Sequence, residues 1–114
     1  MIFCAKALYI KFSPFKLRPL VDVIRGKNAR DALCWLATHK TRRSVPIKKV
    51  LDSAVANARS LHNISAEKLF IEDIRVDHGP TYKYFKPGAQ GRANIQKKRS
   101  SHIKVQLISV TKEV

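Results

Sequence analysis

The chain is poor in acid. Of its 114 residues, eight are Asp or Glu against 23 Lys or Arg, and the stretch from His78 to Lys112 has eight basic residues and no acidic one. Like charges at this density repel one another, so that stretch is no self-contained globular segment and calls for an anionic partner. Cysteine is also scarce: Cys4 and Cys34 stand far apart and form no CxxC pair. This speaks against a disulfide framework or a zinc site, and both thiols are expected to be reduced, small apolar side chains, buried or half-buried. No apolar run approaches the roughly 18 residues of a membrane span. The first ten residues, interrupted by Lys6, are too short for a signal peptide. A soluble, intracellular protein is the expectation.

What is present is a hydrophobic fraction of 45%, enough for one modest core, with a formal net charge of +15. The reading is a single domain over 1–114, with a body of 1–77 and 101–114 and an arm of about 78–100. Such a charge points to a polyanion, of which nucleic acid is the commonest. An anionic membrane would call for an amphipathic basic helix rather than a ribbon broken by proline and glycine.

Met1 to Ile10 suits a strand. Ser13-Pro14 then reads as an N-cap and a first-turn proline, followed by Leu17, Leu20, Val21 and Ile24 at helical spacing and Gly26 as the stop. Pro19 lies inside this helix, where a bend or an irregular first turn is expected. Asn28 caps a second helix with Asp31 in its first turn, an inner face of Ala29, Ala32, Leu33, Leu36 and Ala37, and His39 and Lys40 at its C-terminal end. Ser44 opens a longer third helix, with Pro46 in its first turn and a stripe of Ile47, Val50, Leu51, Ala54, Val55, Ala58 and Leu61. From Lys68 to Asp77 the pattern becomes that of a strand, and Ile103, Val105 and Leu107 alternate with His102, Lys104 and Gln106 in another. The two strands are expected to pair, with a long hairpin between them. The fold class is α+β: three helices packed on a small antiparallel sheet, with a long protruding basic β-hairpin.

Lys86-Pro87-Gly88-Ala89 has the signature of a type II turn at the hairpin tip, with Gly91 free to supply another positive φ nearby. About a dozen residues on each side, at ~3.3 Å per residue, give a reach of about 40 Å. A body of some 85 residues has a radius of gyration of only about 12 Å, so the arm projects. An isolated ribbon with few apolar pairs is marginal in water, so its rigidity is expected to come from a partner. Lys83, Lys86, Arg92, Lys97, Lys98 and Arg99 are candidates to neutralise phosphates, and Tyr82, Tyr84 and Phe85 to pack on sugars or stack on bases. Two further basic clusters are Lys16, Arg18, Arg25, Lys27 and Arg30 around the first helix, and Arg42, Arg43, Lys48 and Lys49 at the junction of the second and third. They are candidates for phosphate contacts that position without reading sequence.

Catalysis is not expected. His39, His62, His78 and His102 fall in separate elements without ligand spacing, and there is no Ser/His/Asp set, carboxylate pair or phosphate-binding glycine loop. Asp73 and Asp77 read as strand-face charges that offset nearby Lys and Arg. No metal and no cofactor is implied. The rival reading is an architectural nucleoid protein, which also grips DNA with basic β-arms carrying a proline near the tip, as a symmetric dimer. A small RNA-processing enzyme would need an acid–base or metal site that the sequence lacks.

Several runs together resemble one family. Ser13-Pro14-Phe15-Lys16-Leu17-Arg18, Ile24-Arg25-Gly26-Lys27, Ser53-Ala54-Val55-Ala56-Asn57-Ala58, Val76-Asp77-His78-Gly79-Pro80-Thr81, Pro87-Gly88-Ala89-Gln90-Gly91-Arg92-Ala93 and Lys98-Arg99-Ser100-Ser101-His102-Ile103 follow one another as in ribosomal protein L twenty-two of the large subunit. The ordered set spans Ala5 to about Val110, and the short length resembles the bacterial and organellar form. The resemblance implies a structural constituent of the large subunit, seated on its rRNA and supporting assembly. It also implies a hairpin that runs inward and helps line the nascent-peptide exit tunnel. Carried over, Lys83, Arg92, Lys97, Lys98 and Arg99 would contact rRNA along the arm, and Pro87, Ala89, Gly91 and Ala93 would shape the tip. The tunnel-facing set is Tyr84, Phe85, Pro87, Gly88, Ala89, Gln90 and Gly91. The family pattern places basic residues where Gly88 and Gln90 stand, and commonly at Tyr84, so this tip is less cationic. Implied partners are rRNA, neighbouring ribosomal proteins and the nascent peptide near the tip, with no membrane and no homo-oligomer.

Overall fold

A computed structural model describes residues 2–39 and 41–109. The chain runs β1 (Ile2–Ile10), α1 (Pro14–Ile24), α2 (Ala29–Thr38), α3 (Ser44–His62), a 3-10 turn (Ala66–Lys68), β2 (Leu69–Pro87), a second 3-10 turn (Ala89–Gly91) and β3 (Ala93–Ser109). Three helices lie on a three-stranded antiparallel sheet of order β1-β3-β2, which is the expected α+β fold. The last strand in sequence is thus the central one, flanked by β1 and β2.

Strand alternation sorts the sheet into two faces. Cross-strand rows Phe3–Leu107–Ile71, Ala5–Val105–Ile74 and Ala7–Ile103–Val76 point toward the helices. All but Ala7 are buried, and they meet Leu17, Val21 and Ile24 of α1, Ala32 and Leu36 of α2, and Ile47, Leu51, Ala54 and Ala58 of α3 in one core. The opposite face carries Cys4–Gln106–Asp73 and Lys6–Lys104–Arg75 in the same register.

The helix signals read from the sequence hold in large part. Asn28 caps α2, its side chain accepting from the Arg30 N–H at 2.9 Å, with Asp31 in the first turn. Gly26 takes φ +81 just beyond the C-cap of α1, and its N–H donates to the Ile71 carbonyl at 3.0 Å. Ser13 stands at the N-cap of α1, but its side chain makes no capping bond; Pro14 occupies the first turn, and the Ser13 carbonyl accepts from the N–H groups of Lys16 and Leu17. Pro19 does not interrupt α1: it sits on the exposed side, and the helix runs through it.

Expectations about the burial of four residues and about the tip turn are corrected. Cys4 and Cys34 are both exposed. Cys4 follows buried Phe3 and precedes buried Ala5, so alternation turns it to the open face, while Cys34 lies off the Ala29–Ala32–Leu36 stripe. Ala37 and Leu61 are exposed as well, Leu61 lying in the last turn of α3 beyond its last buried residue, Ala58. The proline-glycine tip is not a type II turn. Gly88 is extended, with φ −112, and the chain reverses over Ala89–Arg92, where Gln90 (φ 57) and Gly91 (φ 74) are both left-handed. That is the pattern of a hairpin turn whose twist matches the strands. Gly88 serves close approach instead, since a Cβ there would meet the Arg92 carbonyl oxygen at 2.9 Å. Lys40, Met1 and residues 110–114, including Lys112, lie outside the described residues.

Candidate nucleic-acid interface

β2 and β3 continue as a paired ribbon far past the helices. Burial ends near Asp77 on one strand and Ser100 on the other, while the ladder continues through Thr81↔Arg99, Tyr82↔Lys98, Lys83↔Lys97, Tyr84↔Gln96, Phe85↔Ile95 and Lys86↔Asn94 to Pro87↔Ala93. The molecule measures 73 × 24 × 19 Å, with a radius of gyration of 17.5 Å. A compact chain of this length has about 13 Å, so the ribbon dominates the shape.

The register gives the ribbon two unlike faces. Lys83, Lys97 and Arg99 share one with Phe85, Ile95, Pro87 and Ala93, so it is cationic toward the body and apolar toward the tip. Phe85 is 71% exposed and Ile95 59%. The other face carries Tyr82, Tyr84, Lys86, Asn94, Gln96 and Lys98, with the Lys98 ammonium 5.3 Å from the centre of the Tyr84 ring. That distance is within cation–π range. The aromatics point into solvent rather than folding back on the body.

Directly opposed like charges destabilise a strand pair, and Lys83↔Lys97 is such a pair. The ribbon therefore holds a charge that its own chain leaves uncompensated. The described ion pairs all use Arg25, Arg30 or Arg75, with Asp22, Glu67 and Asp73. Asp73 thus does the offsetting expected of it; Asp77 appears in no ion pair among the described residues.

The helix-borne candidates separate into two kinds. Arg25 donates to the Ile74 carbonyl at 2.8 Å and to Asp22 at 2.7 Å, and Arg18 to the Val76 carbonyl at 3.3 Å, so both tie α1 to β2. Arg30 is held by Glu67. Lys16 and Lys27 are exposed and form no described ion pair. Lys16 faces the arm: with Ser13, Lys97 and Arg99 it lines a cleft of about 280 Å³. Three cations and a hydroxyl with no carboxylate suit a phosphate group. Phe15 anchors this junction, with Arg18 at 5.5 Å, Arg99 at 5.6 Å and the His78 ring at 5.5 Å. Arg42 and Lys49 line a shallow hollow with Phe12, Val45 and Pro46, and Lys48 a neighbouring one with His39 and Asp52.

Some basic residues escaped the sequence reading because only the sheet brings them together. Lys6, Lys104 and Arg75 form one row across three strands. Strand alternation puts each on a polar face, but the row requires β3 to lie between β1 and β2, which the sequence does not declare. Each histidine packs on an aromatic ring: His62 on Phe3, His102 on Tyr9, His78 on Phe15 and His39 on Trp35. The described residues hold no cluster of His, Cys, Asp and Glu able to bind a metal. No described helix is long and apolar enough to cross a membrane.

The model of the family described as "Ribosomal protein L22p/L17e" matches residues 5–108. The chain is 46% identical over 104 residues to the large ribosomal subunit protein uL22 of Desulfitobacterium hafniense, covering 91% of each chain. It is 46% identical over 109 residues to that of Pelotomaculum thermopropionicum, covering 96% of each. Against the uL22 of Deinococcus radiodurans the identity is 46% over 101 residues, 89% of this chain and 75% of the relative. With a match over nearly its whole length, this chain belongs to the ribosomal protein L22p/L17e family.

Proposed function

We propose that the protein is a structural, non-catalytic constituent of the large ribosomal subunit in the bacterial cytoplasm. In this reading the body sits on rRNA and the arm extends into it. The carrying observation is the arm itself: a ribbon with six cations, no acid and no described ion pair, on a body that already has a complete core. Lys83, Lys86, Arg92, Lys97, Lys98 and Arg99 neutralise phosphates along it, and Lys16 and Lys27 extend the track over α1. Arg18 and Arg25 support that track by fixing α1 to β2. Neighbouring ribosomal proteins complete the surroundings, and the protein enters the particle as a single copy.

The tip, Tyr84, Phe85, Pro87, Gly88, Ala89, Gln90 and Gly91, approaches the path of the nascent peptide. Its exposed Phe85 and Ile95 give that region an apolar character, and Gln90 and Gly91 hold the reversal. The test is sedimentation of a lysate after a high-salt wash, with each fraction probed for the protein. Retention in the large-subunit peak is expected. Release to the top of the gradient, or migration with chromosomal DNA, would overturn the reading.

A further inference from the structure

At the root of the arm, Tyr9, Lys11, Tyr82, Lys98, Arg99 and Ser100 line a cavity of about 630 Å³. We propose that this cavity receives one unstacked nucleotide of single-stranded RNA, with the two tyrosine rings against its base and sugar and Lys11 and Lys98 on its flanking phosphates. The proposal rests on the RNA-binding reading above and names a ligand for one place in it.

Three observations carry it. First, the lining joins the cations Lys11 and Lys98 and two aromatic rings with no carboxylate, while the Arg99 guanidinium lies over Phe15 on the other face of the ribbon; this selects a ligand that is both anionic and flat. Stacking on aromatic faces combined with a basic track is how proteins hold unpaired nucleotides. Second, both rings stand in water, Tyr9 at 63% and Tyr82 at 64% exposure, although the body's core is complete without them. Third, Tyr9 is set in place by local structure. β1 breaks register between Ala7 and Ile10, and Tyr9 takes a left-handed φ of 59 there, which a bulky residue seldom adopts. Its N–H donates to Nδ1 of His102 at 3.1 Å, and its ring meets the His102 ring edge-on at 5.1 Å. Strained backbone of this kind persists where the surroundings over-determine it, as at binding sites. The volume lies within the ~300–1,000 Å³ of small-ligand sites. Ser100 contributes shape alone, since its hydroxyl donates to the Pro80 carbonyl.

The test uses the full chain and two probes of equal length and charge: a seven-nucleotide single-stranded RNA, and the same oligomer with abasic riboses at its central positions. The wild type is expected to bind the base-containing probe roughly 5- to 150-fold more tightly, the range that base–aromatic stacking represents. Tyr82→Ala should remove most of that preference and Tyr82→Phe should keep it, with Tyr9→Ala acting in the same direction. Tyr82 is exposed, so its loss leaves folding intact. If Tyr82→Ala retains the full preference, the site is overturned. If the wild type binds both probes equally while a large-subunit rRNA fragment still binds with steep salt dependence, the nucleotide site falls and the RNA-binding reading stands. If the fragment does not bind either, both fall.

Discussion

Removing charge from the arm should change the salt dependence of rRNA binding by a calculable amount. Eight side chains are exposed, basic and in no described ion pair along the proposed track: Lys83, Lys86, Arg92, Lys97, Lys98, Arg99, Lys16 and Lys27. If each engages one phosphate, counterion release gives a log–log slope of about −7 on duplex-like RNA, and raising salt from ~50 to ~200 mM weakens binding by roughly 10⁴. The triple variant Lys83→Gln, Lys97→Gln, Lys98→Gln removes three contacts while keeping the strands' length and polarity. It also removes the Lys83↔Lys97 repulsion, which offsets the loss of the Lys98–Tyr84 cation–π contact. Its slope should fall to about −4.5. The assay is fluorescence anisotropy with a large-subunit rRNA fragment over a salt series. A variant slope equal to that of the wild type would refute the assignment of these lysines, and a wild-type slope shallower than about −2 would refute the phosphate-dominated account.

Four other outcomes are expected. Deleting Lys83 to Arg99 and closing the ribbon with a short turn should leave a body that unfolds cooperatively by circular dichroism, because the core rows end at Val76 and Ile103; loss of the transition would show that body and arm fold as one. Leu51→Ala, at a fully buried site on α3, should cost about 2–5 kcal/mol in urea denaturation. Asn28→Ala removes the α2 cap and a bond to the Glu67 carbonyl, and should cost about 0.5–2 kcal/mol in the same assay. Arg25→Gln should cost about 1 kcal/mol of stability and move the salt slope by less than one, since Arg25 is occupied by Ile74 and Asp22.

Local signals carried most of the fold. The caps at Asn28 and Gly26, the period of α3 and the alternation of Ile103, Val105 and Leu107 are each set by nearest neighbours, and each appears where the sequence puts it. The misreadings have physical causes. Cys4 and Cys34 look apolar by type, but their neighbours own the inward positions. Pro87-Gly88 looks like a turn, yet Gly88 is needed for close approach to Arg92, and the reversal moves to Gln90-Gly91. The basic arm was legible because charge and turn residues both lie along the chain. The Lys6–Lys104–Arg75 row and the cavity under Tyr9 and Tyr82 were not, because each joins β1 to strands that lie far along the chain.

The central claim is that the arm lies within RNA, and lysine protection tests it most directly. Free protein and purified large subunits are treated with an amine-reactive reagent, and each lysine is quantified by mass spectrometry. The account predicts that Lys83, Lys86, Lys97 and Lys98 react readily in the free protein and are protected in the subunit. Full reactivity of these four in the subunit, with protection confined to the helices, would contradict it.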